Sequence, residues 1–135
     1  FFRCSQLTSI EIPDSVISIG NSAFLGNNSL TSVVIGNGVT RIGNEAFAYC
    51  DNLASVVIGN SVTRIGDEAF AYCNSLTSIE IPDTVTSIGR AFSGCSNLRS
   101  ITFKGTVAQW NAVEKHPNWN YNLPGTEVVC KDGKA

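Results

Sequence analysis

The sequence predicts a repeat solenoid of short parallel strands, one helical turn per repeat, and a C-terminal cap containing a short helix. Three observations predict it. The stretch Leu53 to Cys73, LASVVIGNSVTRIGDEAFAYC, repeats Leu30 to Cys50, LTSVVIGNGVTRIGNEAFAYC, almost residue for residue. The apolar positions of that unit recur 23 residues upstream at Leu7, Ile10, Ile12, Val16, Ile19, Ala23 and Phe24. They recur downstream at Leu76, Ile79, Ile81, Val85, Ile88, Ala91, Phe92 and Cys95, one residue having been deleted after Gly89. A fixed period of this size marks units too small to close their own core, which bury apolar surface only by stacking.

The array is expected over residues 1–104 and the cap over 105–135. Phe1 and Cys4 align with Phe47 and Cys50, so the chain is expected to start in mid-repeat, with a truncated N-terminus. An uncapped first coil would leave Leu7, Ile10 and Ile12 on an open edge, which makes self-association there an expectation.

Within each unit Leu-x-x-Ile-x-Ile reads as a strand whose alternate residues point inward. Pro13-Asp14 and Pro82-Asp83 turn the chain out of it, and Gly36-Asn37 and Gly59-Asn60 stand in the same place. Val-x-x-Ile-Gly reads as a second, shorter strand. The glycines Gly20, Gly43, Gly66 and Gly89 mark a positive φ or a close approach between coils. Asn44-Glu45-Ala46-Phe47 and its equivalents read as one helical turn, N-capped by Asn21, Asn44 or Asp67. Phe24, Phe47, Phe70 and Phe92 are expected to lie in single file through the interior.

Cys4, Cys50, Cys73 and Cys95 share one repeat position, with Asn27 in the remaining copy. Stacked positions carry their Cβ vectors in parallel, which suits neither a disulfide nor the convergence a metal needs. A ladder of buried thiols is the expectation. Beyond Phe103 the repeat pattern ends. Thr106-Val107-Ala108-Gln109 is a capping box opening a helix that should stop by Lys115, before His116-Pro117. Val107, Trp110 and Val113 share one face of it and should cover the last coil, with Trp119, Tyr121 and Val128-Val129-Cys130 completing the lid.

These residues resemble one family, the BspA-like leucine-rich repeats of bacterial and protozoal surface proteins. The pattern Leu-x-x-Ile-x-Ile-Pro…Val-x-x-Ile-Gly-x-x-Ala-Phe-x-x-Cys is met at Leu76 to Cys95 apart from the deletion, and at Leu7 to Phe24. The ending GTVAQWNAVEK…W…VVCKDG is similar to the terminal unit of such arrays. In the two central copies Gly replaces the Pro. The resemblance implies a right-handed leucine-rich-repeat superhelix. It also implies an extracellular or cell-surface location and a non-enzymatic module for protein interaction or adhesion. A structural spacer or stalk is the alternative.

Composition narrows the function further. A formal charge of −2 and a pI near 5.2 do not provide the basic face that nucleic acid requires, so nucleic acid is not an expected partner. No apolar run is long enough to suggest membrane insertion. His116 is the single histidine, no phosphate-cradling or metal-protease motif occurs, and no catalytic residue, cofactor or metal is expected. The candidate partner-binding surface is therefore built from outward positions. Glu11, Val34, Val57, Glu80 and Thr102 should form one column on the first strand. Ser18, Arg41, Arg64 and Ser87 should form a second, in which the two stacked arginines repel unless Glu45, Glu68 or a ligand anion offsets them; pairing with a glutamate is the expectation and an anion site the alternative. The partner that the resemblance implies is a protein or other macromolecule at the cell surface.

Overall fold

Successive units fold as coils of one solenoid, and the computed structural model describes residues 6–135. Phe1 and Cys4 lie outside the described residues. Leu-x-x-Ile-x-Ile forms the strands Ser9–Ile12 (β1), Ser32–Ile35 (β3), Ser55–Val57 (β5), Ser78–Ile81 (β7) and Ser100–Phe103 (β9). Val-x-x-Ile-Gly forms the two-residue strands Ser18–Ile19 (β2), Arg41–Ile42 (β4), Arg64–Ile65 (β6) and Ser87–Ile88 (β8). Each pairs in parallel with its equivalent one repeat away, Ile10 opposite Val33 and Ile42 opposite Ile65. Register is fixed because a one-residue slip would turn the buried isoleucines out to water.

After the array come a six-residue helix, Val107–Ala112 (α1), and the strands Glu114–Lys115 (β10), Glu127–Cys130 (β11) and Gly133–Lys134 (β12). The short strands then make one unbroken sheet in the order β10-β8-β6-β4-β2. The longer strands make two groups, β1-β3-β5 and β12-β11-β9-β7, with only β12 antiparallel. Thr106 caps α1 with both capping-box hydrogen bonds: its Oγ1 accepts from the Gln109 amide at 3.1 Å, and its own amide donates to Gln109 Oε1 at 2.8 Å.

The interior is one file. Phe24, Phe47, Phe70 and Phe92 stack with ring centroids 5.1, 5.3 and 5.8 Å apart and planes within 10° of parallel. Leu30, Leu53, Leu76 and Leu98 are fully buried beside them. At the far end Trp110 tilts onto Phe103 at 5.3 Å and meets the edge of Trp119 at 5.4 Å. Val113, Val128 and Cys130 are buried there too, whereas Tyr121 is exposed and takes no part in the lid.

The helical turn expected in each repeat is absent; tandem turns replace it. Glu45 and Tyr49 have φ of 57° and 59°, and Ser22, Glu68 and Tyr72 repeat the left-handed geometry. Those residues aim alternate amides along the solenoid: Glu45, Phe47 and Tyr49 donate to the carbonyls of Asp67, Ala69 and Ala71 at 2.7–2.9 Å. A right-handed helical turn would have kept these donors within the coil. Bonding to the next coil outweighs the strain of about 1–2 kcal/mol per left-handed residue. The deletion after Gly89 falls at the Glu68 slot, so the last coil lacks that left-handed residue.

Asn21, Asn44 and Asp67 do not cap helices either. Their Oδ1 atoms accept the amides of Asn44, Asp67 and Arg90 in the following coil at 2.8, 2.9 and 3.2 Å. The glycine column serves close approach, not positive φ. A Cβ on Gly43 would lie 2.7 Å from the Asn21 amide nitrogen, and one on Gly66 2.8 Å from that of Asn44.

Candidate interaction surface

Outward residues of the longer strands form the first expected column. Glu11 lies opposite Val34, Val34 opposite Val57, and Glu80 opposite Thr102. The ladder pairing is interrupted between β5 and β7, which still lie side by side. Val34 is 40% exposed and Val57 53%, an apolar step between Glu11 and Glu80. Glu80 is drawn towards Lys104 at 3.4 Å, and both groups are well solvated. Downstream Val129 continues the column opposite Thr102.

The second column runs Ser18, Arg41, Arg64, Ser87, each the Cα partner of the next, and then Glu114. The offset expected from Glu45 or Glu68 does not form. Glu68 reaches Arg90 at 3.8 Å, and the ion pairs among the described residues use neither Arg41 nor Arg64. Both arginines are exposed, over a cleft of about 400 Å³ shared with Ile17, Ser18, Thr40 and Thr63. Ile17, 70% exposed, belongs to this face and was missed as a surface residue. The signal was available, since its equivalents in the next coils are Thr40, Thr63 and Thr86.

On the turn side Tyr49 and Tyr72 stack at 4.9 Å with an interplanar angle of 10°, both partly exposed. Their slot has positive φ in every copy and is Gly26 and Gly94 in the outer two. At the first described coil Ile10, Ile12, Val16, Ile19, Ala23 and Phe24 line an apolar cleft of about 440 Å³.

Cys50, Cys73 and Cys95 are free and fully buried. Cys50, Cys73 and Cys95 donate to the carbonyls of Phe24, Phe47 and Phe70 at 3.3, 3.2 and 3.0 Å, and Asn27 Nδ2 also donates to Phe24. Burial raises the Cys50 and Cys95 thiols from 9.0 to about 11, and Cys73 well above its ordinary value. Lys115 Nζ lies 4.7 Å from the Trp110 ring centre and donates to the carbonyls of Trp110 and Val113 at 2.7 and 3.0 Å, closing the end of α1. Burial lowers its pKa. His116 Nδ1 accepts the Asn118 amide at 3.0 Å. Among the described residues no three His, Cys, Asp or Glu side chains converge as metal ligands, and no helix is long and apolar enough to cross a membrane.

Comparison with known proteins follows the same geometry. The profile of the BspA-type leucine-rich repeat region matches residues 1–113 in 6 copies. A leucine-rich cell surface protein of Faecalibacterium prausnitzii is 30% identical with a TM-score of 0.70, covering 78% of this chain and 34% of that one. A leucine-rich repeat protein of Bacteroides capillosus is 31% identical with a TM-score of 0.67, covering 74% of this chain and 79% of that one. The pneumococcal vaccine antigen PcpA shares the fold at 21% identity and a TM-score of 0.74, covering 91% of this chain and 30% of its own. The chain thus spans about a third of the length of the first and third of these. A search of curated proteins gives no match.

Proposed function

Because the chain belongs to the BspA-type leucine-rich repeat family, we propose that it is a non-enzymatic interaction module of a cell-surface protein. In this reading the outward face of the longer strands binds another macromolecule. The observation that carries it is the in-register pair Val34 and Val57, apolar and exposed between Glu11 and Glu80. Water-exposed valines on adjacent strands give a partner apolar area to bury, and the flanking acids give it a charged rim. The surface location rests on the printed description of the Faecalibacterium protein as a cell surface protein.

The test is a pull-down with the complete surface protein against host and microbial macromolecules, repeated with Val34→Lys/Val57→Lys. A partner retained by the original protein and lost by the variant supports the reading. A partner held equally by both contradicts it.

A spacer role is the second reading, and the hydroxyl columns favour it. Thr31, Thr40, Thr63 and Thr86 spend their hydroxyls on carbonyls of the preceding coil at 3.0–3.2 Å. Such residues hold coils together without offering a partner anything. A stalk would leave the pull-down empty with both proteins.

A further inference from the structure

The second strand column holds two like charges that no carboxylate within the described residues offsets. Arg41 and Arg64 are Cα partners on adjacent parallel strands, so their side chains leave the sheet roughly 4.8 Å apart. Two unit charges at that spacing repel by about 1 kcal/mol even in bulk water. Their neighbours along the column are the neutral Ser18 and Ser87. The threonine hydroxyls beside them are already committed, Thr40 to the Ile17 carbonyl and Thr63 to the Thr40 carbonyl. What this cleft offers a ligand is therefore a pair of guanidinium forks, with the Ser18 hydroxyl beside Arg41.

We propose that the Arg41–Arg64 step binds sulfate ester groups of an anionic glycan, one group accepting hydrogen bonds from both guanidiniums. A carboxylate presents its two oxygens in one plane, a shape that matches one arginine fork edge-on. A tetrahedral monoester has three free oxygens, enough to engage two forks. β4 and β6 are interior strands of a fully paired sheet, so no open backbone edge invites an extended peptide by strand addition. On macromolecules outside the cell the common tetrahedral monoester is the sulfate ester of a glycan. That step rests on the cell-surface reading and names the ligand chemistry of a second face. Exposed Ile17 at the margin of the cleft gives the sugar's apolar ring face a contact.

The experiment is titration calorimetry of the whole chain with heparin as the probe. Fully desulfated heparin and a phosphoserine peptide serve as comparisons. The expected result is heparin binding that weakens with salt, with none for the desulfated glycan. Arg41→Ser/Arg64→Ser, which copies the serines already present in this column, should weaken it roughly tenfold or more without lowering the melting temperature, since the like-charge repulsion goes with the arginines. Arg41→Lys/Arg64→Lys should fail to restore it, because the charge returns without the fork. Val34→Ser/Val57→Ser should bind heparin as the original does, which separates this site from the strand-column reading. Unchanged binding by the serine double variant, full restoration by lysine, equal binding of desulfated heparin, or preference for the phosphoserine peptide would each overturn the proposal.

Discussion

At position 73 burial opposes the thiolate and pushes the thiol well above its ordinary pKa. Cys73 is enclosed by the cysteines of the coils on either side and bonded to the Phe47 carbonyl at 3.2 Å. The parallel Cβ vectors of stacked positions made this legible from the sequence: equal spacing excluded bridging and left burial. Asn27 fits the same slot because its Nδ2 reaches the Phe24 carbonyl that Cys50 also uses. The raised thiols tie stability to alkaline pH. Between about 9 and 11 the folded chain keeps protons that the unfolded chain releases, so the stabilisation is whole below the unfolded value and is lost as pH rises through the folded one. Thiol titration of the native protein at pH 7 should find Cys50, Cys73 and Cys95 unreactive. Denaturant midpoints should fall from pH 9 to pH 11, and rapid native labelling or a flat midpoint over that range would contradict the buried ladder. The arginine step is the opposite case. Its outward direction was legible, but whether Glu45 or Glu68 reached it depended on side-chain paths that no repeat pattern encodes.

Among the elements, the strands and the turns at Pro13-Asp14, Gly36-Asn37 and Pro82-Asp83 were legible, and the tandem turns after the glycines were not. Strands follow the period-two alternation of Leu, Ile and Val, and the inward set came out as expected. The Asn-Glu-Ala-Phe segment has residues that suit a helix, and local propensity alone favours one. Tertiary context overrides it, because a stacked coil needs its amides pointed at its neighbour. The same stacking explains why glycine is needed in the second column without any positive φ. Gly66→Ala would place a methyl 2.5 Å from Asn44 Oδ1 and 2.8 Å from the Asn44 amide. It should cost about 1–3 kcal/mol in equilibrium unfolding, in the range of overpacking. Gly20→Ala meets nothing within 4 Å and should be nearly neutral. Equal effects at the two positions would mean that coil spacing does not demand glycine.

At the scale of the molecule, every outward column described above exists only because successive coils share one interior. A single coil of 23 residues has too few apolar side chains to offset its own chain entropy. Its strands, turns and side-chain ladders all bond forward or back, so damage in one coil should be felt in the next. Phe47 sits at the centre of the file, stacked on Phe24 at 5.1 Å and Phe70 at 5.3 Å. The most direct measurement is native-state hydrogen exchange of Phe47→Ala alongside its equilibrium unfolding. A loss of about 3–5 kcal/mol is predicted, with protection falling at the Phe24 and Phe70 amides as well as within the altered coil. A loss under about 1 kcal/mol, confined to residues 44–49, would contradict the shared interior.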